Sequence, residues 1–451
     1  MLQEKVFDIT CYDGLEGAPD GCRGNSMIVR VGDRVFATFN HQERNRMPYN
    51  RTCLEIYEKK GDSVWKLAFR DEGVYQMDPS PIMYLGDNRL AVTANLTVAR
   101  YAADEVCKMV PCTPVVYIFD ITEELKRVEV ITLPYDAPAY QFVDHCYRSC
   151  TRDIENGNML FTNQIADYSH KYADNIHSYG KKGVYDGFCY SLLDKNFLIK
   201  RMGRLTFPER ACHHCMTMKD GETYIFGIQD VIEYNKEWKQ FKYELTGDKW
   251  DYTFRKIYLL YSPDITTGEF TSCEVVCDRE DTCGFVNNLD CCYDANGDVL
   301  LLVYALDIWH LPMKERFFPD AEPMASLEFY RFSKGVLKEK RVIDQYPCQK
   351  DHHPHYTGFF HTAANGEIYV LWDRGIGAMK GHCIYFDSTE LFLSRINALE
   401  KEPVRLGEAS GRVLFGSKIR LGAVPDNRID MYYDEEGKSM RYARYDLEEN
   451  V

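Results

Sequence analysis

The chain has 451 residues, 45% of them hydrophobic, which is ample for a folded core, and no long Ser/Gly/Pro stretch divides it. A net charge of −15, with no Lys/Arg-rich run, speaks against nucleic acid and acidic membrane surfaces as partners. Aromatic residues reach 14%, led by 32 tyrosines, a bias that favours strands over helices.

The opening stretch MLQEKVFDITCYDG has no apolar signal-like core, and no later run approaches transmembrane length. The expectation is a soluble, cytoplasmic chain. Its 17 cysteines are scattered without a disulfide framework and read as reduced, mostly buried thiols. Cys212 and Cys215 form a C-x-x-C, but histidines fill it and no βαβ pattern surrounds it.

Helical periodicity is nearly absent; TEELKR and SRINALEKE read as single turns or caps. Strands recur instead, separated by Gly, Asn and Asp turns. The first unit is NSMIVRVGDRVFATFNHQE followed by TCLEIYEKKGDSVWKLAFRD, and the second is PSPIMYLGDNRLAVTANLT followed by PVVYIFDITEELKRVEVITL. The third pairs YRSCTRDIENGNMLFTNQI with FCYSLLDKNFLIKRMGRL, and the fourth HHCMTMKDGETYIFGIQDV with KIYLLYSPDITTGEFTSCEVV. The fifth joins NNLDCCYDANGDVLLLVYALD to ASLEFYRFSKGVLKEKRVID, and the sixth joins QKDHHPHYTGFFHTAANGEIYVLWD to CIYFDSTELFLSRINALEKEPVRL. A seventh, GSKIRLGAVPDNRIDMYYDEEGK with MRYARYDL, lacks an outer strand, and EKVFDIT near the N-terminus is one strand too many. A period of about 64 residues suits a four-stranded blade with functional loops. The sequence therefore predicts an all-β, seven-bladed β-propeller over residues 1–451 as a single domain, its last blade closed by the N-terminal strand.

In such a ring, residues just before each inner strand and just after each second strand share one rim around the axis. Those positions hold Asn25; Asn40, His41, Gln42 and Glu43; Asp78 and Asn95; Asp144, His145 and Arg148; Asn163 and Gln164; His213 and His214; Gln229 and Asp230; Asn287, Asn288 and Asp307; Gln349, His352, His353 and His355; Asp373 and Arg374; Ser417 and Lys418. Seven of the 12 histidines fall among them. Tyr147, Tyr356, Trp309 and Trp372 stand nearby as candidate stacking residues. His, Arg, Asn and aromatics together suit an anionic, hydroxyl-rich ligand such as a uronic-acid sugar.

On an extended strand His353 and His355 face one side and His352 the other. With His213 or His214 arriving from another blade and Gln349 nearby, they are candidate ligands of a divalent metal (Mn, Ca or Zn). A metal-free arrangement for proton transfer and a polar turn without function are the other readings of the cluster. The run Asp144 to Arg148 combines a base, a phenol and a fixed cation, or is a salt-linked loop. The sequence contains no sialidase Asp-box, WD or kelch signature.

The stretch DHHPHYTGFFHTAANGEIYVLWD resembles the inner-strand opening of the oligogalacturonate lyases, where an H-x-H element precedes an aromatic strand and a Gln completes a metal set. Gln349, His353 and His355 match in type. The same stretch is similar to strands of BNR-type propellers that include ulvan lyases and rhamnose–glucuronate lyases. The close match covers about one blade. The resemblance implies a lyase that cleaves a glycosidic bond beside a uronic acid by β-elimination, with an acidic oligosaccharide or polysaccharide as partner and no organic cofactor. In that reading a metal on His353, His355, His213 and Gln349, or Arg148 and Arg374, neutralises the carboxylate. His145 is the first candidate for base, His214 and His41 the next, and Tyr147 the acid. Asn40, Gln164, Gln229, Trp309, Tyr356 and Arg374 are expected to bind substrate. A glycoside hydrolase using Asp78, Asp307 and Asp373, or a non-catalytic glycan-binding propeller, are the alternatives.

Overall fold

The computed structural model describes residues 1–8, 25–42, 52–71, 80–97, 112–138, 142–143, 146–167, 185–247, 252–349, 353–380, 383–385, 389–409, 412–435 and 439–447. Seven antiparallel sheets follow one another around a ring. In chain order their inner strands are Ile28–Val31, Ile82–Gly86, Ser149–Arg152, Ala211–Lys219, Phe285–Tyr293, His353–Thr362 and Arg412–Gly416. Each is followed outward by two or three further strands of the same blade.

Burial explains the sequence pattern. A blade's inner strands are covered on both faces by neighbouring blades, so Val299–Leu306 is buried at every position, as a strand covered on both faces should be. Outermost strands such as Lys126–Thr132 are exposed almost throughout. The core is correspondingly divided into one apolar layer per blade interface. Leu302, Tyr304, Trp372 and Phe392 join blades 5 and 6; Phe359, Leu371, Met431 and Tyr433 join blades 6 and 7; five similar layers complete the circle.

The predicted closure is present. Leu2–Asp8 pairs antiparallel with Ser439–Asp446 as the outer strand of blade 7, from Leu2 opposite Arg444 to Asp8 opposite Ser439. Phe7 then meets Phe39 at 4.8 Å and Tyr57 at 4.9 Å in blade 1, and Lys59 pairs with Glu4 at 2.8 Å. The two ends of the described chain thus complete one sheet and leave the ring without a gap.

Three features differ from the sequence expectation. The segment after Gly416 is not the inner strand of blade 7; that strand is Arg412–Gly416, and Ile419–Leu421 is a 3-10 turn. The turn crosses the channel. Ser417 Oγ accepts from the Arg30 amide of blade 1, and the Arg420 carbonyl accepts from Thr151 Oγ1 of blade 3. Arg420 donates to the Met216 carbonyl of blade 4, while Lys418 and Arg420 both pair with Asp290 of blade 5, at 3.0 and 3.1 Å. Gly422, at φ +89°, lies so close to blade 2 that a Cβ would sit 1.9 Å from the Tyr84 carbonyl oxygen. A segment reaching five other blades occupies the axis, so it acts as a plug.

The second difference is two short helices, α1 (Lys236–Thr246) and α2 (Leu311–Phe317). Asn235 caps α1 by accepting from the amides of Glu237 and Trp238, and Gly247 ends it in the left-handed region. The helices pack together over blades 4 and 5 through Trp238 against Phe318 and Phe241 against Phe317. Third, Tyr356 and Trp372 are core residues, 0% and 1% exposed, rather than ligand-stacking ones. The Tyr356 hydroxyl donates to Asp344, and Trp372 stacks on Phe392 and donates to Ser394. The cysteines whose side chains are described are free thiols, all buried except Cys273.

Candidate active site

The inner strands open onto one rim, where their first residues tie the blades together. Asn25 Nδ2 donates to the Arg148 carbonyl at 3.1 Å, linking blade 1 to blade 3. Ser149 Oγ lies 2.8 Å from Asn25 Oδ1 and 2.7 Å from the His214 carbonyl of blade 4. Asn95 and Asn163 exchange amide hydrogen bonds between blades 2 and 3, and Asn288 Nδ2 donates to the His213 carbonyl at 3.0 Å. Much of the predicted polar ring is therefore a seam, which fixes the geometry of whatever stands above it.

Two residues above that seam have left-handed backbones, Tyr147 at φ +41° and His213 at φ +50°. Bulky side chains rarely adopt this conformation, at a cost of ~1–3 kcal/mol each, and such strain gathers at functional sites. At His213 the cause is a bulge, because pairing with the next strand shifts register between Cys212 and Cys215. The extra residue turns His213 towards Tyr147, edge to face with ring centroids 4.5 Å apart. The Arg210 guanidinium lies 5.7 Å from the Tyr147 ring and is itself bonded to Asp230. Arg210 escaped the sequence reading because the inner strand was taken to start at His213, whereas it starts at Ala211; the neighbours of Arg210 in PERACHH were the available signal.

His213 also begins a run of aromatic contacts along the rim. Phe254 lies 6.3 Å from His213, Phe285 6.1 Å from Phe254, Tyr304 5.8 Å from Phe285, and His355 5.0 Å from Tyr304. Trp309 joins at Phe285, 4.8 Å away, and stacks on His310. The run crosses from blade 4 to blade 6, and within it Phe285 and Tyr304 are core residues, 8% and 1% exposed.

The remaining candidates divide. Arg148 is buried, with Nη2 donating to Ser80 Oγ and Nη1 to Cys146 Sγ, so it stands beneath Tyr147 and supports it. His214 points the opposite way from His213, into the interface of blades 3 and 4. Its ring is pressed between Phe188 and Phe207, with Nδ1 3.3 Å from Thr162 Oγ1, and burial pulls its pKa down to about 3. That enclosure corrects its assignment as a base: a ring sealed from solvent on both faces does not reach substrate. Gln229 is committed below the surface, donating to Glu209 and accepting from the Arg255 amide. Gln164 is fully buried on the second strand of blade 3. Arg374 is held by Asp344 and Glu390 at 3.1 and 3.0 Å, away from Tyr147 and His213. His145 and Asp78 lie outside the described residues, as do the side chains of Asn40, His41 and His353, although the backbones of these three occupy the expected strands.

Among the proposed metal ligands, the side chain of His353 lies outside the described residues, and His213, His355 and Gln349 do not gather. His213 and His355 stand at opposite ends of the aromatic run, and Gln349 is exposed. Among the described residues no three His, Cys, Asp or Glu side chains form a metal-ligand group. Nor do the two described carboxylates expected of a hydrolase, Asp307 and Asp373, pair up. Asp373 is buried and accepts from the Thr357 amide, while Asp307 pairs with Arg279.

No family profile matches the sequence, and no curated protein matches it. Solved structures similar to this chain include an ulvan lyase, polysaccharide lyase PL25, bound to -[GlcA(1-4)Rha3S]-. It is 9% identical, with 96% of each chain covered and a TM-score of 0.54. Another structure of a PL25 ulvan lyase gives a TM-score of 0.53 at the same identity and coverage. A Trypanosoma rangeli sialidase is 10% identical, over 83% of this chain and 55% of its own, with a TM-score of 0.42. At these identities the likeness is one of fold: the scaffold is a propeller of the kind on which polysaccharide lyases are built.

Proposed function

We propose that this protein is a polysaccharide or oligosaccharide lyase that cleaves a glycosidic bond next to a uronic acid by β-elimination. The observation that carries the reading is the Tyr147–His213 pair, two strained residues in contact at the rim, Tyr147 half-buried and His213 8% exposed. β-Elimination requires a base for the proton at C5, an acid for the leaving glycosidic oxygen, and positive charge near the carboxylate to acidify C5. His213 serves as base and Tyr147 as acid. Arg210 supplies the cation beside the Tyr147 ring, stabilising charge that develops as the phenol gives up its proton. Arg148 is a positioning residue, anchoring the Tyr147 backbone from below. The fold likeness to ulvan lyases supports the scaffold, and the half-buried Trp309 beside Phe285 supports a sugar ligand.

The test is incubation with glucuronate-containing oligosaccharides while following ultraviolet absorbance and product mass. A lyase yields an unsaturated uronate that absorbs, with a mass change equal to bond cleavage without added water. Cleavage with addition of water and no new absorbance would mean a hydrolase. Binding without any cleavage would mean a glycan-binding propeller.

A further inference from the structure

Two cysteines occupy the channel wall beneath the candidate site. Cys215 lies on the inner strand of blade 4, two residues beyond His213, and Cys291 on the inner strand of blade 5. Their sulfurs are 3.3 Å apart, a thiol–thiol hydrogen bond between neighbouring blades, and both residues are fully buried. Next to Cys291, Asp290 binds Lys418 and Arg420 of the plug. Arg420 also donates to the carbonyl of Met216, the residue after Cys215.

We propose that Cys215 and Cys291 form an oxidisable dithiol, and that small hydroperoxides convert it to a disulfide stapling blade 4 to blade 5. Three features support this. The sulfurs are already in contact, so bond formation needs a sub-ångström approach by each strand rather than a rearrangement. The hydrogen bond from one thiol to the other stabilises a thiolate on the acceptor, as do the two plug cations. The Cys215 thiol is accordingly drawn below its ordinary range although burial opposes this, while that of Cys291 is pushed up. Complete burial selects the reagent, since a small uncharged peroxide reaches a site closed to a protein disulfide.

The chemistry balances. The Cys215 thiolate attacks one peroxide oxygen; the S–O bond forms, the O–O bond breaks, and hydroxide leaves as water after taking a proton, giving a sulfenic acid. The Cys291 sulfur attacks the sulfenic sulfur; the S–S bond forms, the S–O bond breaks, and a second water departs. Two thiols and one hydroperoxide yield one disulfide and two waters (from hydrogen peroxide). Cys215 shares a strand with the His213 bulge, so the staple bears directly on the backbone that aims His213.

The full-length protein should be treated with hydrogen peroxide, alkylated under denaturing conditions, digested and analysed by mass spectrometry. The expected product is a Cys215–Cys291 cross-linked peptide, lighter by two hydrogens and released by dithiothreitol. Fragment ions must separate Cys215 from Cys212 and Cys291 from Cys292. Cys215→Ser and Cys291→Ala should each abolish it, and circular dichroism would establish that the variants fold. The wild-type measurement does not depend on them. Finding both thiols alkylated while exposed Cys273 is oxidised would overturn the proposal, as would a cross-link to any other cysteine.

Discussion

The two rims of the propeller are built from the same strands yet treat backbone strain differently. On the rim opposite the site, connections are tight: Asp87–Asn88, Asp220–Gly221 and Lys334–Gly335 each supply two consecutive left-handed residues to a hairpin. Five of those six residues are Asp, Asn or Gly, for which the conformation costs little. On the site rim connections are long, such as residues 230–255 and 307–323, and the left-handed non-glycine positions among the described residues belong to Tyr147, His213 and Cys283. Strain on one rim falls mostly on the usual turn residues, with Phe197 at φ +62° and Lys334 as the exceptions. On the other it is retained on a phenol and an imidazole in contact, the pair to which the proposed chemistry is assigned.

The largest expected effect strikes that difference at its centre. Tyr147→Phe and His213→Gln should each lower lyase turnover by about 10²–10⁴-fold, the range of a lost general acid or base, without loss of fold. Loss of substrate affinity alone, with turnover retained, would reduce the pair to a binding contact. His213→Asn sharpens the point, because Asn tolerates the left-handed backbone. It should melt no lower than wild type while losing activity, so that stability and function separate at one residue.

A similar magnitude is expected from the plug between the rims. Asp290→Ala would leave Lys418 and Arg420, both only 3% exposed, without their shared carboxylate. Removing one partner of a buried ion pair costs ~3–5 kcal/mol. Chemical denaturation should show a loss of that order, and a change below about 1 kcal/mol would mean that the plug does not brace the ring.

The sequence made the ring legible because each blade repeats the same local signals, an apolar inner pair, a Gly or Asn turn and a more polar outer pair. The spare N-terminal strand and the incomplete last blade followed from the same count. Side-chain direction was harder to read. Alternation on an isolated strand separates two faces, but in a propeller both faces of an inner strand are buried against neighbouring blades. Tyr356 and Trp372 consequently looked like rim residues and proved to be core. The His213–His214 pair was assigned without its bulge, which decides which imidazole meets Tyr147. SKIRLGAV has strand-like composition, and only contacts with five other blades reveal it as the plug. The helix α1 was not read from the sequence: its apolar residues face only a small helical cluster and give weak periodicity, although Asn235 and Gly247 cap it.

The pH dependence of stability distinguishes the two adjacent histidines. His214 stays neutral in the fold down to about pH 3, whereas in the unfolded chain it titrates near its ordinary value of 6.5. Between those values the unfolded state binds more protons, so stability falls as pH drops through this window, by up to ~1.4 kcal/mol per unit. His361, lowered by burial, acts in the same direction. Melting measured from pH 7 to pH 5, above the main carboxylate range, should show the decline in the wild type and a shallower one in His214→Gln. Equal slopes would place the His214 ring in contact with solvent.

The smallest effect belongs to the opposite rim and tests the comparison from its quiet side. Lys334 and Gly335 lie at φ +49° and +75°, the pattern of a tight hairpin whose first position favours Asn over Lys. Gly335 is fixed by its neighbour, since a Cβ there would fall 2.5 Å from the Tyr261 ring, and its amide donates to the Tyr224 hydroxyl. Lys334 has no such tie to other blades among the bonds described, so Lys334→Asn should relieve strain without disturbing packing. The expected gain is ~0.5–1 kcal/mol in chemical denaturation, with lyase activity unchanged. The same exchange of a bulky residue for Asn at His213 should remove activity. If Lys334→Asn lowered activity as well, the two rims would be coupled through blade 5, and strain on the site rim would lose its standing as a local mark of function.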